Sequence, residues 1–113
     1  KGNWDVYASA FVSAPTGDPE YFFTTHCVQD SSKNRGGYYS ETFEMLEQQL
    51  SGEFDTEKRT ELAIEMTQTL LDDHMFFFAS HLKMSMVSGE GVTGLTAHPC
   101  DYYEITVNLD KNK

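Results

Sequence analysis

Apolar positions along the chain change their period several times, and each change marks an element. Trp4, Val6, Ala8 and Ala10 alternate with Asp5, Tyr7, Ser9 and Phe11. A period of two with apolar residues on both faces predicts a strand inside a covered sheet. Pro15, Gly17 and Pro19 end that pattern, and APTGDPEYFF reads as a loop entering a helix, with Asp18 near the N-cap and Pro19 at the first helical position. The helix carries residues 21–27, and its aromatics Tyr21, Phe22 and Phe23 read as core filling. Residues 30–37, DSSKNRGG, contain no apolar side chain and predict an exposed loop.

Helical periodicity then takes over. Ser40 can cap a helix in which Phe43, Leu46 and Leu50 share one face, and Gly52 stops it. Asp55 or Thr56 caps the next, where Leu62, Met66 and Leu70 recur every fourth residue while Glu57, Lys58, Arg59, Glu61 and Glu65 face water. Beyond Asp73 the pattern turns extended again. Residues 75–80 are dense in phenylalanine and residues 83–88 alternate Met84 and Met86 with Ser85 and Val87, which predicts two strands or one bent strand. Gly89, Gly91 and Gly94 punctuate a turn, and residues 103–109 predict a last strand before a lysine-rich tail. The sum is an α+β (α/β-like) domain: a mixed sheet of about four strands with the two main helices packed on it, because both helical faces need an apolar partner.

Length and charge narrow the function. A chain of 113 residues is the size of one domain. It starts at Lys1 without methionine and enters an alternating apolar run by Trp4, as expected of a segment from inside a larger protein. With 18 acidic against 8 basic side chains the formal net charge is -10, which repels nucleic acid phosphates and anionic lipid. No apolar run approaches the roughly 20 residues of a membrane-spanning helix, so a membrane association would run through an upstream signal or lipid anchor. Cys27 and Cys100 fit either a disulfide or two buried thiols.

Candidate chemistry is sparse. His26, Cys27, His98 and Cys100 have the ligand types of a zinc or nickel site, but adjacent residues such as His26 and Cys27 diverge from a regular backbone, so no metal site is assigned. Asp72, Asp73 and His74 have the residue types of an acid and base pair, yet lie where a helix ends, and solvated terminus charges account for them. Met84 and Met86 read as core or cleft lining. Nucleophile elbow, phosphate-cradling loop and zinc-protease helix are all missing from the sequence, and no catalytic residue is expected.

The order of segments is more specific than any one of them. WDVYASAF, TGDPEYFF, GGYYSETFEMLEQQL, FDTEKRTELAIEMTQTLLDDHMFFF and MSMVSGEGVTGL, in that sequence, resemble the closing part of the second lobe in the dipeptide, oligopeptide and nickel-binding proteins of ABC importers. TGDPEYFF and the DYYEIT ending look most like the nickel or metallophore branch. The resemblance implies part of lobe II of a type II periplasmic-binding-protein fold, closing like a hinge on its ligand. It implies a peptide or nickel-chelate ligand, ABC permease subunits and the rest of the same protein as partners, and an extracytoplasmic, lipid-anchored location. No resident cofactor is implied, since a nickel chelate would be cargo. In nickel-binding relatives an aromatic-rich loop after the first strand touches the chelate. The equivalent loop here keeps Ala14 and Pro15 without the flanking aromatics, so Ser13, Ala14, Pro15, Thr16, Gly17 and Asp18 are expected to line the cleft, with His26 facing it. A non-catalytic interaction domain without small-molecule ligand is the alternative.

Overall fold

The computed structural model describes residues 3–83, 85–98 and 105–111. Three helices, α1 (Glu20–His26), α2 (Glu41–Gly52) and α3 (Thr56–Asp72), precede two short strands, β1 (Val92–Thr93) and β2 (Asp110–Lys111). The chain divides into two compact units, Lys1–Phe78 and Ala79–Lys113. All the helices belong to the first.

Local chemistry starts each main helix where the sequence places it. The Ser40 hydroxyl accepts the Phe43 N–H, and the Asp55 carboxylate accepts those of Glu57 and Lys58, so donors that the first turns cannot satisfy internally are capped. Only residues 53–55 separate α2 from α3, where the Glu53 carboxylate accepts the N–H groups of Phe54 and Asp55 at 2.9 Å each. The helical faces then meet each other. Phe43, Leu46 and Leu50 of α2 and Met66 and Leu70 of α3 are buried together with Phe22, Phe23 and Cys27 from α1 and its end. Edge-on rings fill the centre: Phe43 meets Phe23 at 5.9 Å and Tyr38 at 5.8 Å between centroids. Leu62 is only partly buried at the rim.

A Schellman turn built around His74 ends α3. His74 takes a left-handed φ of 57°, its N–H reaches Leu71 O at 3.1 Å, and Met75 N–H reaches Leu70 O at 3.0 Å while Met75 packs on the core. Tyr38 donates to the Asp73 carboxylate at 2.6 Å, tying the same corner to the loop before α2. Asp72 accepts from Gln68. The Asp72, Asp73 and His74 group is therefore the stop of a helix, engaged in structural hydrogen bonds.

The extended segments differ most from expectation. Among the described residues the one strand ladder is antiparallel, pairing Val92 with Lys111 and Thr93 with Asp110. The ladder thus uses residues expected in the glycine-rich turn and the tail. The runs at residues 4–11, 75–80 and 83–88 form no ladder among the described residues; of the strand expected at 103–109, residues 103 and 104 lie outside them and 105–109 carry a turn. Val6, Phe77 and Val87 point into solvent, the last 95 % exposed. A strand needs a neighbour for its backbone groups, and the helices take each other as partners, so α2 and α3 do not lay their faces on a mixed sheet within the described residues. In the second unit Gly94 has φ 75°, and a Cβ there would collide with the backbone of Asn108, so this approach requires glycine. No helix among the described residues is long and apolar enough to cross a membrane.

Candidate functional site

The loop proposed to line a cleft is a compact turn fastened to the helices at one end. Gly17 N–H donates to Ala14 O at 3.0 Å, with Gly17 at φ 85°, so Pro15 and Thr16 form its corner. Ser13, Thr16 and Gly17 are exposed, whereas Ala14, Pro15 and Asp18 are partly covered. Asp18 does two things at once. Its Oδ1 accepts the Glu20 N–H at 2.9 Å, starting α1 just after Pro19, and its Oδ2 accepts from Arg59 Nη2 at 2.7 Å.

Arg59 departs from the expectation that it faces water. Its Nη2 also donates to Glu20 Oε2 at 2.8 Å, and its Nη1 donates to the carbonyls of Leu50 and Glu53 at 2.8 Å each. A planar guanidinium can satisfy all four acceptors from one position, which the single ammonium of lysine cannot. The carboxylates raise the Arg59 pKa above its ordinary value, the bond to Glu20 first. In sequence this arginine looked like one more charge on a solvated face; its position a turn after the α3 cap, opposite the last carbonyls of α2, is the signal that could have marked it.

His26, the last residue of α1, is stacked on Phe11 at 4.3 Å between ring centroids and lies 5.8 Å from Phe22. Partial burial lowers its pKa, and the charges of Lys33 and Arg35 lower it further. Both effects disfavour the charged imidazolium. Neither ring nitrogen forms a hydrogen bond among the described residues. Asp18 lies just before α1 and His26 ends it, while Phe11, two residues ahead of the expected loop, stacks on His26.

The charges of Lys33 and Arg35 act on that end of α1, and Arg35 in turn meets an aromatic pair. Arg35 lies over the Tyr7 ring at 5.1 Å from its centroid and donates from Nη1 to the Tyr7 hydroxyl at 2.9 Å. Trp4 adjoins Tyr7 at 5.2 Å. The loop that carries Lys33 and Arg35 is fixed by Asn34, which donates to Val28 O at 3.1 Å and Tyr38 O at 2.7 Å and accepts the Tyr38 N–H at 2.9 Å.

Cys27 differs from its neighbour His26 in every respect. Its free thiol is fully buried, faces Phe22 O at 3.9 Å, and is pushed by burial up to about 12. Such a thiol is neither a nucleophile nor a ready metal ligand at neutral pH. Cys100 and Met84 lie outside the described residues. Among the described residues no three His, Cys, Asp or Glu side chains converge as a metal site would require.

No family model, no curated protein and no solved structure matches this chain.

Proposed function

We propose that the chain is part of the second lobe of a solute-binding protein that delivers a peptide or chelated nickel to an ABC importer. The ordered series of segments from WDVYASAF to MSMVSGEGVTGL carries this reading. Two structural features support it. Solvent-facing apolar residues such as Val6 and Val87, in segments without a strand neighbour, suit a sheet completed by strands from the rest of the same protein. The corner at Pro15 and Thr16, exposed at Thr16 and with its far end anchored by Asp18, suits a loop that meets ligand from a rigid base. Permease subunits and an upstream lipid anchor on the outer face of the membrane complete the proposal.

A ligand held between two lobes draws contacts from both, so the 113-residue chain alone should bind poorly. In the intact protein, replacing residues 13–17 with glycine and serine while keeping Asp18 should weaken ligand binding with little change in stability. Calorimetry with free nickel, a nickel–histidine chelate and a peptide mixture tests both statements. Tight binding by the isolated chain, or unchanged binding after loop replacement, overturns the reading.

An interaction domain without small-molecule ligand is the second reading. It is favoured by a shallow groove on α3 where Ile64 and Leu71 stand exposed beside Pro19, Ala63 and Thr67. Two permease and two ATPase genes beside the coding gene would favour the transport reading over it.

A further inference from the structure

We propose that Lys33, Arg35 and the Tyr7 hydroxyl, beside the Phe11–His26 stack, form a binding site for the carboxylate of a small ligand. The proposal deepens the solute-binding reading and rests on it for the ligand's origin. Its physical basis is local. The chain carries only 8 cations against 18 acidic groups, so most surface cations would find a carboxylate nearby. Arg59 takes two and Lys58 approaches Glu53 at 4.0 Å. Lys33 and Arg35 form no ion pair among the described residues, though both are exposed. The charges that act on His26 are theirs, which makes this a positive patch on an acidic protein.

Preorganisation adds to the charge. The Asn34 hydrogen bonds fix the loop, and the Tyr7 ring fixes the Arg35 guanidinium, which spends only Nη1 on the Tyr7 oxygen and keeps donors for an anion. A carboxylate docked there meets an oriented Arg35 guanidinium and Tyr7 hydroxyl and loses little to their ordering, with Lys33 adding charge. Phe11 and His26, stacked 4.3 Å apart and partly open, offer a flat apolar wall for the body of the ligand. The same two cations disfavour a free divalent metal ion at His26. A metal would come to this face only inside a complex whose carboxylates offset its charge.

Both a peptide C-terminus and an amino-acid chelator of nickel carry the required group. Hippurate, an aromatic carboxylate, is the direct probe, with its uncharged amide as control. In NMR titrations of the 113-residue chain, hippurate should shift the His26 ring and Arg35 side-chain signals saturably and raise the His26 pKa, while the amide should do neither. Lys33→Gln, which touches no ring, and Arg35→Gln should each weaken hippurate binding, the arginine change by about tenfold as expected for losing a hydrogen bond to a charged group. Arg35→Lys should restore part of the loss, and Lys58→Gln should change nothing. Equal binding of the amide, or unaltered binding by both Gln variants, overturns the site. Competition then separates the sources: displacement of hippurate by a free-acid tripeptide but not its amide indicates a peptide end, and displacement by nickel–histidine but not free nickel indicates a chelate. With each competitor in large excess over hippurate, so that even the weak binding expected of the isolated chain registers, hippurate binding with neither competitor effective keeps the anion site and removes the transport reading's claim on it.

Discussion

Among the described residues the first unit has a buried core and the second has none. Phe22, Phe23, Phe43, Leu46, Leu50, Met66 and Leu70 are all buried in Lys1–Phe78, while no described residue of Ala79–Lys113 is. The contrast follows from how each kind of backbone is satisfied. A helix closes its hydrogen bonds within itself and needs only an apolar neighbour, which α1, α2 and α3 supply to one another. An extended segment needs another strand before its side chains can be ordered, and the described residues provide that only for two pairs. Segments such as residues 4–11 and 83–88 therefore keep strand composition without a strand's partners.

Substitution in each unit measures this contrast directly. Leu70, on α3, is fully buried in the core, so Leu70→Ala should cost about 2 to 5 kcal/mol in chemical denaturation, from lost transfer energy and the cavity left behind. Val87→Ala should change stability by no more than about 0.5 kcal/mol, as for an exposed position. Similar losses at both positions would show that the second unit has a core of its own and abolish the comparison.

Next in size comes Arg59, which links the helical layer to the loop before α1. Arg59→Ala leaves the last α2 carbonyls, Asp18 and Glu20 without their shared donor. It should lower the melting temperature clearly more than Lys58→Ala, whose nearest acid is 4.0 Å away. Arg59→Lys should recover only part, since one ammonium cannot span four acceptors. Equal effects of the two alanine variants would mean that the loop is held without the arginine.

How legible these features were in the sequence depends on the range of the interactions that make them. The caps at Ser40 and Asp55, the stop near Gly52 and the faces of Phe43, Leu46, Leu50, Met66 and Leu70 follow from spacing along a few turns, and the structure has them where the pattern puts them. Arg59 and Tyr38 were not legible. Their partners lie up to 41 and 35 residues away, and a charge or phenol at an exposed-looking position carries no mark of what it will meet. The extended segments are less legible for the complementary reason: alternation reports that a segment could pair and says nothing of what it pairs with. At the candidate site, the 13–18 turn was readable from Pro15 and Gly17. The setting of His26 between Phe11, Lys33 and Arg35 depends on a loop fold that no local pattern encodes.

The boundary between the helical and extended regimes lies at His74, which offers a smaller and opposite effect. Its φ of 57° strains any residue with a Cβ, and glycine is the residue this turn ordinarily takes. His74→Gly should therefore stabilise the first unit, by up to about 1 kcal/mol, with relief of strain exceeding the added freedom of the unfolded chain. A destabilised variant would show that the His74 side chain contributes more than its backbone costs.

The smallest expected effect comes from His26, where the segment before α1 meets the helices through Phe11. Its folded pKa lies below the ordinary histidine value of about 6.5, through partial burial first and then through Lys33 and Arg35. Above about pH 6.5 the imidazole is neutral in both states and the contribution to stability is fully present. As pH falls below that value the unfolded chain takes up the proton before the folded one does, so the unfolded state gains and stability declines until the folded pKa is passed. The loss should appear as a difference between wild type and His26→Gln in denaturation midpoints measured from pH 7.5 downward. Lys33→Gln should reduce it without abolishing it, because one of the two repelling charges is gone while burial remains. If His26→Gln leaves the pH dependence unchanged, the stack of Phe11 on His26 does not hold the imidazole from water.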